Sequence, residues 1–217
     1  MASQAEENYL KALFTLTDIN GEVAISALSH TLRVSKPTAN SMVKNLHEQG
    51  LLNYEKYKPL SLTKKGMKEA ALIIRKHRLT EMYLVEKMGF GWEEVHEIAE
   101  QVEHIKSPEF FDRMDEIMGH PTIDPHGSPI PDKKGKINTK KYQKLSDCKV
   151  GDSVILSALK HSSEDFLKYL NDKNLSLGLK LKVESIEVFD GSMKISYDKD
   201  HCEVLSAIVC ESLLVDK

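Results

Sequence analysis

The chain has 217 residues, a formal charge of -3, 41% hydrophobic residues and 29% charged ones, a composition that suits one large or two small soluble globular domains. No apolar run approaches the roughly 20 residues of a membrane span, and the first eight residues lack signal-peptide character. Three scattered cysteines fit neither a disulfide framework nor a CxxC zinc knuckle, so a reduced, cytoplasmic protein is predicted. The small net charge hides a polarity. Residues 1–78 hold 12 Lys/Arg against 7 Asp/Glu, whereas residues 79–125 hold 3 against 12 and the remainder 15 against 14. A basic front followed by an acidic middle predicts a polyanion-binding module joined to a cation-binding one.

In chain order, QAEENYLKALFTLTD places Tyr9, Leu10, Leu13, Phe14 and Leu16 at helical spacing, with Asn20-Gly21 as the predicted stop. ISALSHTL predicts a short second helix with Ile25, Leu28 and Leu32 inward and Ser26 as N-cap. After a turn at Arg33-Val34, a third helix opens at Ser35, carries Pro37 in its first turn and closes at Gly50. Ala39, Met42, Val43 and Leu46 form its apolar stripe. This is a helix-turn-helix whose second helix offers Ser35, Lys36, Pro37, Thr38, Asn40, Ser41 and Lys44 to base edges in a major groove. LLNYEKYKPLSLT then reads as a hairpin turning near Tyr57-Lys58-Pro59, a basic wing with Lys56 and Lys58 at its tip. Together with Lys64 and Lys65 these lysines would meet phosphates, which sets affinity rather than sequence choice.

One long helix is predicted from Thr63 to about Met88, basic at first and carrying His77 and Glu81 one turn apart near its end. Gly89-Phe90-Gly91 breaks it. The next helix, from Trp92 to about Ile105, contains HEIAEQVEH. At about 100° per residue, His96, Glu100, Glu103 and His104 fall at roughly 0°, 40°, 340° and 80°, on one flank. Imidazoles and carboxylates without thiolate suit a divalent ion such as Mn(II), Fe(II) or Zn(II). Ser107-Pro108-Glu109 opens a further helix through Met118, and its apolar residues beside those of the preceding helix predict a homodimer interface.

Residues 119–142, with four prolines and several lysines, read as a linker, and His120 and His126 within it as surface-loop histidines. The rest reads as short strands, SVILSAL, LKLKVESIEVF, SMKISY and EVLSAIVCESLLV, with Asp190-Gly191 a hairpin turn and one small helix from about Ser162 to Asn171.

Taken together, EENYLKALFTL, LRVSKPTANSMVKNLHEQGLL, YEKYKPLSLTKKG, HRLTEMYL, EEVHEIAEQVEH and GHPTIDPHGSPIP resemble the diphtheria-toxin-repressor family of metal-dependent transcriptional repressors, including its manganese-sensing branch. The resemblance covers roughly residues 5–131. It implies a cytoplasmic homodimer that binds palindromic operator double-stranded DNA when loaded with Mn(II) or Fe(II), two ions per subunit. By position it implies a primary site of Asn8, Glu100, Glu103 and His104, and an ancillary site of His77, Glu81 and His96. It further implies a C-terminal SH3-like barrel, in which Asp165 matches a position that supplies an oxygen ligand to the ancillary ion. Iron-sensing members carry a cysteine where this chain has Glu100, so the carboxylate resembles the manganese branch. That branch has an acidic residue where this chain has Lys11, and other members have Met or Asp at the place of Asn8; two separate ions are therefore expected rather than a closely bridged pair.

The predicted fold is mainly α with small β parts: a winged-helix DNA-binding domain at 1–74, metal-binding and dimerisation helices at 75–125, a Pro/Lys-rich linker at 126–144 and an SH3-like domain at 145–217. The predicted function is metal-dependent transcriptional regulation without catalysis. Two alternatives stand beside it. One is a winged-helix protein without metal control, which equilibrium dialysis would reveal. The other is a metallohydrolase with Glu103 as base, which leaves the helix-turn-helix and wing unexplained.

Overall fold

The computed structural model describes residues 3–17, 22–198 and 201–217, and the chain divides into two compact units. The first comprises the chain up to Thr80 with Ile98–Thr122 and Ile130–Asn138; the second comprises Glu81–Glu97, Ile123–Pro129 and Thr139–Lys217.

In the first unit, α1 (Gln4–Leu16) opens on a capping box, in which the Ser3 hydroxyl accepts from the Glu6 N–H and the Glu6 carboxylate accepts from the Ser3 N–H at 2.7 Å. The helix buries Tyr9, Leu10, Ala12 and Leu13. It ends at Leu16, and the predicted Asn20-Gly21 stop lies outside the described residues. The next helix, α2 (Ile25–Thr31), is capped by Ala24, not by Ser26. The bridge between Val23 and Leu60 fixes the backbone just before it, so the helix starts without a side-chain cap. Ser35 accepts from the Thr38 N–H to open α3 (Lys36–Glu48), which buries Ala39, Val43 and Leu46. The wing is β1 (Leu52–Asn53) antiparallel to β2 (Ser61–Leu62), with Leu52 opposite Leu62. Tyr57 takes a φ of 67° at its tip and is 92% exposed.

From the wing the chain enters α4 (Lys64–Met88), where the Thr63 hydroxyl accepts from the Gly66 N–H. Gly66 is required here, because a Cβ would lie 1.9 Å from the Leu51 carbonyl oxygen. Leu10, Leu13, Leu28, Leu46, Leu52 and Leu60 form the fully buried centre of the winged helix. The predicted ligand helix is shorter than expected: α5 runs only His96–Val102. α6 (Pro108–Ile117) is capped by Ser107, and Arg75 ties it down through a buried ion pair with Asp115 at 2.8 Å.

In the second unit, six antiparallel strands pair in the order β3-β8-β4-β5-β6-β7. They are β3 (Gln143–Lys144), β4 (Ser153–Leu159), β5 (Lys180–Ile186), β6 (Met193–Tyr197), β7 (His201–Leu205) and β8 (Leu213–Asp216). Among the described residues β3 and β7 stand at the two ends, so the expected SH3-like barrel is a sheet not closed by strand pairing. Alternation on β4 to β6 buries Val154, Leu156, Leu181, Val183 and Ile195 on one face, covered by Leu167 and Leu170 of α7 (Glu164–Asp172). The run read as one strand from Glu203 to Val215 is interrupted. Ser206 caps a short α8 (Ala207–Ser212), which divides β7 from β8. At the predicted hairpin turn Gly191 has a φ of 70° and the Asp190 carboxylate accepts from the Ser192 N–H. Cys148 and Cys210 are buried and Cys202 is exposed; burial pushes the Cys210 thiol up to about 11.

The predicted linker is ordered structure at its start. Ile123 pairs with Pro129, Asp124 and Ser128 exchange a backbone hydrogen bond, and Asp124, His126 and Gly127 are buried. No helix among the described residues is long and apolar enough to cross a membrane.

Candidate metal centres

Within the first unit, α1 presents Glu7 and Lys11, four residues apart on one helix face, toward the end of α5. The Glu7 carboxylate lies 2.6 Å from His104 Nδ1. With Nδ1–H donating to Glu7, the His104 Nε2 keeps its lone pair, and it lies 3.8 Å from Glu103 Oε1. Glu103 is fully buried. Its Oε1 has no hydrogen-bond partner, and neither has the buried Oδ1 of Asn8. Two buried acceptor oxygens without donors are costly unless something positive meets them.

The other Glu103 oxygen is amply met. Oε2 is 2.6 Å from His77 Nδ1 and 2.7 Å from the Lys11 ammonium. Lys11 also donates to Glu100 Oε1 at 2.6 Å and lies 3.0 Å from His77 Nδ1. Burial alone pushes the Glu103 carboxyl up. The His77 hydrogen bond and the Lys11 charge outweigh burial and hold it below the usual carboxylate range. The Lys76 ammonium donates to the Glu103 carbonyl at 2.8 Å. His77, Glu100 and Glu103 converge closely enough to share one ion.

Within the second unit, Glu81, Asp124 and His126 converge in the same way, and all three are buried. Glu81 Oε1 is 3.3 Å from His96 Nδ1, and Glu81 Oε2 is 3.8 Å from His126 Nδ1. Asp124 Oδ1 accepts from the His126 and Ser128 N–H groups, both at 2.9 Å, which forms a tight loop. His126 Nε2 meets the Trp92 carbonyl at 2.9 Å and its ring stacks on the Trp92 indole. Gly127 closes the loop against β4, where a Cβ would lie 2.4 Å from the Ser157 carbonyl oxygen. His126 is thus no surface histidine. The loop presses it into the unit, and Trp92 covers it.

Of the predicted ligands, Glu100, Glu103, His104 and Asn8 all lie in the first unit, and His77 joins them through Glu103. Glu81 and His96 meet in the second. Asp165 is exposed in the first turn of α7, outside the converging group, where its charge complements the helix N-terminus. Sequence reading missed Glu7, Asp124 and His126. A signal for the last two is present: Asp-Pro-His-Gly is a turn sequence that holds a carboxylate and an imidazole two residues apart. Glu7 carries no such signal, since its partner His104 lies 97 residues away.

The predicted nucleic-acid face is also formed by the first unit. Ser35, Lys36, Pro37, Thr38, Ser41 and Lys44 of the third helix are exposed, Asn40 is half-buried with its amide on the Lys36 carbonyl, and Lys56 and Lys58 are exposed on the wing.

Comparison with known proteins matches three successive segments of the chain. Residues 1–60 match the iron dependent repressor N-terminal DNA binding domain, residues 63–132 the iron dependent repressor metal binding and dimerisation domain, and residues 143–217 the FeoA domain. The iron-dependent repressor IdeR of Mycobacterium leprae is 35% identical over 125 residues, 58% of this chain and 54% of that protein, so the chain spans about half the length of that relative. A manganese-dependent transcriptional repressor in complex with manganese has a TM-score of 0.87 and 30% identity, over 97% of this chain and 98% of that one. ScaR with bound Cd2+ has a TM-score of 0.80 and 30% identity, over 98% and 99%.

Proposed function

The chain belongs to the iron-dependent repressor family, and on that premise we propose that it is a divalent-metal-dependent transcriptional regulator, a repressor that grips palindromic operator DNA as a homodimer when loaded with Mn(II) or Fe(II). The observation that carries this reading is the buried Glu103, whose Oε1 has no hydrogen-bond partner and lies 3.8 Å from the Nε2 of a His104 whose Nδ1 is engaged by Glu7; the Oδ1 of Asn8 is likewise buried without a partner. Donors of this kind suit a borderline-to-hard cation. Bound there, a divalent ion would supply the positive charge that these oxygens lack.

Asn8 belongs to the first helix of the winged helix, and Glu103 and His104 to the segment after α5, so these side chains, if they held one ion, would fix the DNA-reading helices on the dimerisation segment. Glu100 stands one turn before Glu103 as a further carboxylate of this primary centre. Glu81 and His96, with the buried Asp124 and His126, would hold the second ion of each subunit. Phe110 and Ile117 of α6 and the neighbouring Ile105 are exposed apolar residues suited to a dimer interface. A twofold axis there sets two recognition helices about one DNA turn, roughly 34 Å, apart. The work is regulatory, in the cytoplasm where operator DNA lies, and involves no turnover of substrate.

Gel-shift titration of operator DNA against Mn(II) and Fe(II), with and without chelator, tests the reading. Glu103→Ala is expected to lose about 100-fold of the Mn(II)-induced gain in operator affinity with an unchanged far-UV CD spectrum. A variant with the wild-type metal response, or a wild type indifferent to chelator, overturns it.

A further inference from the structure

The Lys11 ammonium occupies a position that a cation would take. It lies 2.6 Å from Glu100 Oε1, 2.7 Å from Glu103 Oε2 and 3.0 Å from His77 Nδ1, the three side chains whose ligand atoms converge. Its side chain is 16% exposed and that of Glu103 is fully buried, so solvent screens the contact between them little. A metal ion bound to the same atoms would sit roughly 2.0–2.6 Å from each oxygen and could not coexist with the ammonium. The opposite side of Glu103 differs: Oε1 has no hydrogen-bond partner and faces His104 Nε2.

We propose that Lys11 is a tethered resident cation of this centre, so that the centre takes one divalent ion, on the Glu103 Oε1 and His104 side, and α1 stays joined to the α5 segment without metal. The inference deepens the functional reading above and rests on it for the place of the ion. Charge supports it. Glu7, Glu100 and Glu103 bring three negative charges, Lys11 offsets one, and a single divalent ion neutralises the rest. A second ion would leave an excess of two. A lysine is also held by its own helix, so its charge arrives with no loss of translational freedom. The metal therefore completes a junction that Lys11 has already half made, and the metal-free protein keeps part of its order around α1.

The test counts Mn(II) by equilibrium dialysis in the 217-residue chain carrying Glu81→Gln and His96→Ala, which silences the cluster of the second unit. With Lys11 in place one ion per subunit is expected; Lys11→Glu is expected to take two. Two ions with Lys11 in place, or no gain in Lys11→Glu, overturns the proposal. Lys11→Gln, which removes the charge without adding another, guards against misfolding of the charge-reversed variant. It is expected to bind its first Mn(II) about tenfold more tightly, since a like charge a few ångströms away is gone, and to melt at lower temperature than wild type when metal-free. Unchanged or weaker Mn(II) binding, or an unchanged metal-free melting temperature, overturns the proposal. If the chain with Lys11 binds no Mn(II), the metal-sensing function fails, whereas the resident-cation inference is still decided by the gain or its absence in Lys11→Glu.

Discussion

In the first unit Glu103 meets an ammonium and an imidazole; in the second Glu81 meets imidazoles, and Asp124 spends one oxygen on backbone N–H groups. The first cluster is assembled from α1, α4 and the end of α5, segments far apart in sequence, and opposite charge draws them together. In the second, Asp124 and His126 come from one tight loop, and backbone geometry sets them against Glu81. A charge-held cluster responds to what neutralises it. A loop-held cluster responds to strain in the backbone. The first is therefore suited to sensing and the second to a standing structural role.

The contrast can be broken from either side. The largest effect is expected from Glu7→Ala, which removes the partner that fixes the His104 ring. Such outer partners support metal affinity by 10–100-fold, so competition titration with a fluorescent Mn(II) chelator should show a loss in that range at the first centre. An unchanged affinity would mean that His104 is oriented by something else. Next comes Gly127→Ala. The added Cβ meets the Ser157 carbonyl oxygen at 2.4 Å, and the φ of 85° already disfavours a side chain. About 2 kcal/mol of destabilisation is expected, read as a lower denaturant midpoint together with weakened binding at the Glu81 cluster alone. Equal weakening at both clusters would erase the distinction between them.

The smallest effect concerns the helix that supplies Glu7, Asn8 and Lys11. Ser3→Ala should cost about 1 kcal/mol of α1 stability, measured by amide exchange in the first turns. The Glu6 carboxyl is held below its ordinary value, first by the Ser3 backbone hydrogen bond and then by Gln49. A depressed folded value means that the stabilisation is complete above the unfolded value, near 4.5, and fades as pH falls through the lower folded one. Protection factors in α1, corrected for the intrinsic exchange rate, should thus fall below about pH 4.5, and Ser3→Ala should reduce that dependence. A pH response as steep in the variant as in wild type would separate Glu6 from the capping box.

Legibility in the sequence follows the range of each interaction. Helix periodicity, the Ser35 and Ser107 caps and the wing turn depend on neighbours a few residues away, and all are visible in the chain. The first cluster was half visible: the spacing of Glu100, Glu103 and His104 marks a shared face, but nothing in periodicity brings Lys11 to Glu103, 92 residues on. Proline count misled where it met tertiary structure. Residues 123–129 look like linker, yet Asp124 supplies the carboxylate that turns them into a closed loop. Apolar content misled at Ala207–Ser212, where a β-rich run hides a capped turn of helix.

The placement of the thiols has a practical outcome. Cys148 and Cys210 are enclosed while Cys202 stands exposed on an end strand of the sheet, and a thiol-reactive dye reaches accessible sulfur first. Maleimide chemistry on the unaltered chain should therefore label one position in each copy. In a symmetric pair the two dyes would serve as an optical ruler, able to follow quaternary rearrangement during ion uptake without any engineered cysteine.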